Sequence, residues 1–415
     1  MLLLGAAMGK SASPEDAYKH LAVYTEVLSR IKSEYVEEPD IKNVTLGAVN
    51  GMLEAIDPYA SYLNADQYKQ YTKNQEAKKG NVGLLVAKKF GYVSVVDVIP
   101  GSSAAKASLT TGDFIESING VATRDMPLAY AEMLLDGAPG TNVEISVLRI
   151  RKPEPQKLTL TRSLVKYPAV TAKMLPDQLG LVQVPSLESG KLKEVVSAFD
   201  SLQKQGAKKY ILDLRNCGIG KPEDGLALAN LFVDKGQLAY LQGQKVSQEN
   251  FTADPAKAVF KNLPLTVTTN RGTAAAAEVA ASALLDNKRA ELVGERTYGD
   301  AAVRKPITMD DGAAVILSVA KYYSASGKAI QDTGVTPGVA VTDAEPASAQ
   351  EDDDTNAAPA DTTKKTEGDV ILKKAIDVAT KGKAAVASDH GAAPSPDRTE
   401  MPPTTVKHPS NEKEQ

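Results

Sequence analysis

The sequence predicts a multidomain chain of the α/β class, mixed α+β in detail, in which a helical N-terminal segment precedes two sheet-containing units. Three patterns carry that prediction. Apolar residues at helical spacing occupy the stretch from Ala17 to about Asn74. Short alternating runs between residues 78 and 164 read as strands around a turn-rich middle. After Lys166, strand-like and helix-like runs take turns, as they do when helices cover a sheet.

From the N-terminus, Leu21, Val23, Leu28 and Ile31 mark one amphipathic helix, and VTLGAVNGMLEAI marks a second. In IDPYASYLNADQYKQY, Asp57-Pro58 starts a turn, and Asn64 or Asp66 is placed to cap a short helix. VGLLVAKKF and YVSVVDVI alternate as strands do, PLAYAEMLLDG suits a helix, and NVEISVLRI suits a further strand. LGLVQVPSL, KKYILDLRN and LPLTVTTN then read as strands, while LKEVVSAFDSLQKQ, GLALANLFV and AEVAASALLD read as the helices between or after them. The run AAVILSVAKYYSASGKAIQDTGVTPGVAV closes the core. Beyond Thr342 the composition shifts to Ala, Asp, Thr, Pro and Lys, which cannot bury enough surface to fold, apart from the helical island DVILKKAIDVATKGK. The expected divisions are 1–16 (remnant of an export signal), 17–77 (helical), 78–164, 165–342, 343–367 (disordered linker), 368–385 (C-terminal helix) and 386–415 (disordered tail).

Composition narrows the function. A length of 415 residues with 42% apolar content supports two or three ordinary cores, and a net charge of −4 with mixed signs gives no basis for nucleic-acid binding. Cys217 is the only cysteine, and the histidines stand at 20, 390 and 408. A Ser-His-Asp or Cys-His site inside the main fold therefore has no histidine to use, and a Cys/His metal cluster fails by the same count. No metal or cofactor is expected. The start, MLLLGAAMGKSASPED, is apolar and then rich in small residues, like the trailing part of a secretory signal. It is too short to span a bilayer, and no later segment reaches that length. A periplasmic or secreted location is the expectation.

The run IPGSSAAKASLTTGDFIESINGVATRDM lies close to P-G-S-P-A-x-x-A-G-L-x-x-G-D-x-I-x-x-I-N-G, so residues 78–164 resemble a PDZ domain. Ser108 stands where glycine is usual. A bound peptide carboxylate needs backbone N–H donors at a glycine-containing turn, and the peptide adds as a strand beside them. That turn falls at Asn81, Val82, Gly83 and Leu84, with Leu84, Leu85 and Val86 as the groove edge. A helix starting near Leu128 walls the other side with Ala131, Met133 and Leu134.

From Thr266 to Arg304 the chain reads TVTTNRGTAAAAEVAASALLDNKRAELVGERTYGDAAVR. It resembles the active-site segment of the carboxy-terminal processing peptidases, or tail-specific proteases: N-x-G-S-A-S-A-x-E-I, a helix, then G-x-x-T-F-G-K-G-x-V-Q. Asn270, Gly272, Thr273, Ala274, Ala276 and Glu278 fit, as do Gly294, Thr297, Tyr298 and Gly299. IDPYASYL is similar to L-D-P-H-S-x-Y-L with Tyr59 for the histidine, and YYSASGKAIQDTGVTPGVAV is similar to Y-Y-x-P-S-G-x-x-I-Q-x-x-G-I-x-P-D-V. The resemblance covers about Leu21 to Val341 and implies a ClpP/crotonase-like α/β protease core. It also implies a Ser-Lys dyad, but the nucleophile position falls on Ala275, the general-base position on Asp300 and a glutamine position on Arg304. Oxyanion donors are implied at Ala276 and, from LDLRNCGIG where N-P-G-G is usual, at Ile219 or Gly220.

Peptide hydrolysis without histidine needs a nucleophilic oxygen, a neutral lysine in reach and backbone donors for the oxyanion. Ala275 has no heteroatom, and a carboxylate at Asp300 opposes the negative charge of the transition state. Asp300 and Arg304 have a structural use open to them as a mutual pair. Cys217 has no base to make its thiolate, Thr273 fits an ordinary structural position, and Lys305 is shifted by an odd number of residues from Asp300. The leading expectation is an exported, catalytically inactive homologue that binds peptides or protein C-termini through the PDZ domain and regulates a partner such as an active homologous protease. The alternatives are a working serine-type endopeptidase with a displaced nucleophile, Thr273 or Ser282, and a structural scaffold that forms homo-oligomers.

Overall fold

The computed structural model describes residues 14–76, 80–89, 91–124, 126–149, 152–342 and 369–382. The expected linker 343–367, the tail 386–415 and residues 1–13 of the expected signal remnant lie outside these. The N-terminal part contains α1 (Pro14–Glu34), α2 (Ile41–Ile56), β1 (Ser61–Leu63) and α3 (Ala65–Glu76). The PDZ-like unit contains β2 (Leu84–Lys89), β3 (Tyr92–Val98), α4 (Ser103–Lys106), β4 (Phe114–Ile118), β5 (Val121–Ala122), α5 (Leu128–Leu135), β6 (Asn142–Arg149) and β7 (Lys152–Thr161). The core begins with β8 (Thr171–Leu175), β9 (Leu179–Gln183), α6 (Lys191–Lys204), β10 (Lys209–Asp213), α7 (Pro222–Asn230), β11 (Gln237–Gly243) and β12 (Val246–Thr252). It continues with β13 (Leu265–Thr269), α8 (Ala276–Asp286), β14 (Glu291–Gly294), β15 (Ala302–Thr308), β16 (Ala314–Ser324), β17 (Val339–Ala340) and α9 (Val370–Lys381).

Three sheets organise the described residues. The PDZ-like sheet runs β2-β3-β4-β6-β7, with β5 on β4, and leaves β2 as an outer strand. The central sheet runs β17-β14-β13-β10-β9-β8; all its neighbours are parallel except β8 on β9. A third, antiparallel sheet joins β1, β16, β11 and β12, with β15 also on β16. Parallel strands covered on both faces lose the polar-apolar alternation. The five residues of β13 are all buried accordingly, and its threonines are kept by hydrogen bonds: Thr268 Oγ1 donates to Asp213 Oδ1 at 2.7 Å and Thr269 Oγ1 to the Glu295 carbonyl at 2.9 Å.

Helices α6, α7 and α8 pack the main core around Phe199, Phe232, Val267 and Leu284. Helix α9 covers the sheet beside Leu179, Leu181, Ile211 and Val293 with its buried Ile371, Ala375 and Val378. Arg215 pins the start of α9, donating to Asp213 Oδ2 at 2.8 Å and to both oxygens of Asp369 at 2.7 and 2.8 Å. The island seen in the sequence is thus part of the packed fold. Asn64 is the cap of α3: its Oδ1 accepts from Gln67 N at 3.0 Å while Gln67 Oε1 accepts from Asn64 N at 3.1 Å. The helical reading of the first segment missed β1, which pairs with Ala314–Ile316 of β16 and carries the IDPYASYL run onto the core. None of the described helices is long and apolar enough to cross a membrane.

Candidate functional site

The loops that leave the C-terminal ends of β10, β13 and β14 meet at one place, where ligands bind in open parallel sheets. Asn270, just after β13, laces two of them together. Its Oδ1 accepts from Asn216 N at 3.0 Å and Gly272 N at 3.1 Å, and its Nδ2 donates to Asn216 Oδ1 at 2.8 Å. Thr273 Oγ1 donates to the Leu214 carbonyl at 2.8 Å and accepts from Asn270 N at 3.0 Å, and Ala274 N donates to the Cys217 carbonyl at 3.1 Å. Thr273 is buried and its hydroxyl is committed to these loops. Ser282 is buried within α8.

Ala275 follows with φ 50° and ψ −119°, a left-handed conformation that an alanine adopts only when its surroundings impose it. The turn aims the chain into α8. Helix α7 presses on that start so closely that a Cβ added at Gly225 would lie 2.0 Å from the Ala276 carbonyl oxygen. Of the expected oxyanion positions, Ala276 is the first residue of α8, and Gly220, at φ 143°, bridges to Leu187 while the Ile219 carbonyl accepts from Leu187 N at 2.7 Å.

Glu278, fully buried one turn into α8, joins this elbow to the loop after β14. One carboxylate oxygen accepts from Ala275 N at 3.2 Å and Asp300 N at 2.8 Å. The other accepts from Gly299 N at 2.6 Å and from the Thr297 hydroxyl. Burial pushes its carboxyl up to about 8 against the pull of these donors, and the nearby Asp300 charge adds to the rise. The sequence reading placed Glu278 in the motif without this role; a glutamate three residues after a helix start is the signal that could have found half of it.

At the expected base position, Asp300 is bound to Arg304, with 2.5 Å between Oδ1 and Nη2. The Arg304 guanidinium also lies 4.0 Å above the Tyr59 ring, and Tyr298 meets Tyr59 edge-on at 6.5 Å. Burial opposes the Arg304 charge, but Asp300, Tyr59 and Asp57 hold its pKa above the usual arginine value. Lys305 is exposed. Cys217 is buried, and burial together with the Asp97 and Asp213 charges pushes its thiol well up, away from the thiolate.

The PDZ-like unit rests on this site. A Cβ added at Gly218 would fall 2.6 Å from Leu85 Cδ2, so the β2 side chain lies directly over the Cys217–Gly218 turn. Asp97 of β3, pushed up to about 6 by burial, acts electrostatically on Cys217. In the carboxylate turn, Gly83 has φ 83° and its N–H donates to Asn81 Oδ1 at 2.8 Å, while Val82 is buried. Val86, Leu128 and Ala131 are buried in the unit's core, with Leu84, Leu85 and Leu134 half-buried against it. Ser108, in place of the usual glycine, takes φ 56°.

Residues 178–341 match Peptidase family S41, and residues 94–149 match a PDZ domain. The carboxy-terminal processing protease CtpA of Bacillus subtilis (strain 168) is 34% identical over 335 residues, covering 80% of this chain and 70% of its own. This chain belongs to peptidase family S41. The carboxyl-terminal-processing protease of Synechocystis is 33% identical, with 74% and 73% of the two chains covered. The solved structure of a photosystem II D1 C-terminal processing protease superposes with a TM-score of 0.64 at 28% identity, covering 77% of this chain and 92% of that one. The S41 fold and its PDZ domain are thereby established for this chain. At the two positions that the sequence resemblance assigns to a dyad stand Ala275, at the start of α8, and Asp300, ion-paired with Arg304.

Proposed function

We propose that this chain is an exported S41 homologue without peptidase activity, which uses its PDZ domain to hold extended peptides or protein C-termini and serves a partner protein rather than cleaving a substrate. What supports this reading is the pair of residues at the positions that the sequence resemblance assigns to the dyad: the methyl group of Ala275, which cannot attack a carbonyl, and the Asp300 carboxylate, tied to Arg304, where a neutral lysine is implied. The rival nucleophiles offer little, because the Thr273 hydroxyl already bonds two backbone groups and the Cys217 thiol is buried and protonated. The outer position of β2 leaves a strand edge to which a peptide can add.

The test is cleavage of a denatured protein by the purified chain, beside the triple variant Ala275→Ser, Asp300→Lys, Arg304→Gln. The third change belongs in the set because a lysine at 300 would otherwise meet the Arg304 charge. Silence from the parent with cutting by the triple variant is the expected result. Cutting by the parent sinks the proposal. Export is checked separately, by cell fractionation of the full chain in its source cells: recovery with cytosolic markers would refute it.

A further inference from the structure

The turn that leads into β2 has its central donor already committed. Gly83 N donates to Asn81 Oδ1 at 2.8 Å, an Asx turn in which a side-chain carbonyl takes the N–H two residues further on. The rest of the turn is tied as well. Asn81 exchanges backbone hydrogen bonds with Ser163, both at 2.9 Å, while the Val82 carbonyl accepts from Ala104 N at 3.0 Å and the Gly83 carbonyl from Ile99 N at 2.9 Å. Val82 is 1% exposed and Gly83 is buried, and a Cβ added at Gly83 would lie 2.1 Å from Ser102 Cβ. The turn therefore has little room in which to re-aim its amides.

A terminal carboxylate and an internal peptide group make different demands on this place. The carboxylate carries a full charge, and to leave water it needs several N–H donors converging on its two oxygens. Here the middle donor already faces the neutral amide oxygen of Asn81, which a carboxylate would have to displace. An internal segment needs only the alternating N–H and C=O groups of a strand edge. Because Ile99 N bonds the Gly83 carbonyl, the alternation of an antiparallel ladder turns the Leu84 N–H and carbonyl away from β3, toward the outer side of β2. Side chains stand out of the plane of these bonds, so the contact of Leu85 with the Gly218 turn does not use them. Asn81 is itself half-exposed, and with Oδ1 on Gly83 its Nδ2 is left to donate outward, to a carbonyl of a chain that runs on past the turn.

We propose that the β2 edge takes an internal extended segment of a partner polypeptide rather than a free C-terminus, and that Asn81 is the residue that sets this choice. The inference rests on the peptide-binding reading above and narrows it. Asn81 Oδ1 fills the cradle that a carboxylate would enter, and Asn81 Nδ2 replaces it with a neutral donor suited to a continuing backbone. A ligand of this kind needs no processed end, only an exposed stretch able to lie as a strand.

Random-sequence decapeptides with an N-terminal fluorophore, synthesised with either a free carboxylate or a carboxamide at the C-terminus, test this on the full chain. Sequences selected on the parent from both pools together are titrated in both forms, by fluorescence polarisation, against parent, Asn81→Ala and Asn81→Asp. For the parent the two forms are expected to bind within about threefold of each other. Asn81→Ala frees the Gly83 N–H, and the free acid should then bind about tenfold tighter than the amide, as one hydrogen bond to a charged acceptor allows. Asn81→Asp keeps an acceptor for Gly83 and adds a negative charge, so it should disfavour the acid about fivefold relative to the amide. Hydrogen exchange that is faster at Gly83 and unchanged in β6 marks an Asn81→Ala protein that is folded with its turn open. A parent that prefers the free acid by more than about threefold overturns the inference and leaves peptide binding standing, and so does a folded, open-turn Asn81→Ala protein that still binds both forms alike. Failure of the parent to bind either form removes the peptide-binding reading itself, and the inference with it.

Discussion

The two halves of the site are held in different ways. From Asn270 to Ala276 the chain follows a strained, tightly bonded path that turns into α8 at the methyl-bearing Ala275. From Tyr298 to Arg304 the side chains are bound to one another and to Tyr59, through Asp300–Arg304 and Arg304–Tyr59. The difference teaches that backbone geometry at such a site is held by neighbours that also hold the fold. Asn270, Thr273 and Glu278 join loops from three strands, so they cannot be relaxed without loosening the sheet ends. Side chains at positions 300 and 304 answer only to what lies beside them.

Glu278 is the joint between the halves, and its titration offers the largest test. Its native pKa, about 8, lies above the ordinary value of 4.5, so through that interval the folded chain holds a proton that the unfolded chain has released. The stability tied to this proton is complete below about pH 4.5 and is lost as pH rises through about 8, at up to about 1.4 kcal/mol per pH unit. Urea midpoints taken at pH 5, 6.5 and 8 should therefore fall more steeply for the parent than for Glu278→Gln. The glutamine will lower stability throughout, since its amide must face N–H donors, but the slope is the readout. Equal slopes would mean that the four donors win over burial and keep Glu278 ionised.

The next test breaks the elbow from outside. Gly225→Ala forces a methyl group against the Ala276 carbonyl, at 2.0 Å in the present packing, and the backbone of α8 has no rotamer with which to yield. A loss of about 3 kcal/mol is expected in chemical unfolding. A loss below about 1 kcal/mol would show that α7 and the elbow move apart easily, and that the left-handed turn is not held by this contact.

Much of this arrangement was legible beforehand, and its limits are physical. The chemistry of the site depends on short spacings such as Asn270-x-Gly272 and Ala275 to Glu278, and these survive in the order of residues. The pairing of Asp300 with Arg304 was foreseeable only from their opposite charges; in an extended chain residues four apart lie about 13 Å from each other, so the contact depends on the bend of the loop before β15. The cap at Asn64 followed from the same local logic. What could not be read were contacts made across long stretches of chain: β1 lies on β16, and Leu85, expected at the edge of a peptide groove, has its methyl group over Gly218. Strands β8, β11, β12 and β15 also went unnoticed, because their partners rather than their own residues define them. β8 and β12 in particular keep most side chains in solvent, so no buried face marks them. Helix α9 read as an island in a disordered tail, and the anchor that fixes it, Arg215 to Asp369, spans 154 positions.

The smallest effect discriminates most sharply between the halves. Ala275 sits at φ 50° and ψ −119°, a conformation that costs an alanine of order 1 kcal/mol or more and a glycine almost nothing. Glycine also loses more chain entropy on folding, about 0.5–1 kcal/mol, so the two terms nearly offset. If the neighbours impose the full strain, Ala275→Gly should stabilise the protein by up to about 1 kcal/mol and raise the unfolding temperature slightly, with hydrogen exchange at Ala276 and Glu278 unchanged. If the variant is instead destabilised by about that amount, the entropy lost by glycine outweighs the strain, and the turn at Ala275 is not held under load. The sign is read from urea midpoints measured side by side, and the same substitution leaves Asp300, Arg304 and Tyr59 untouched, so the result belongs to the elbow alone.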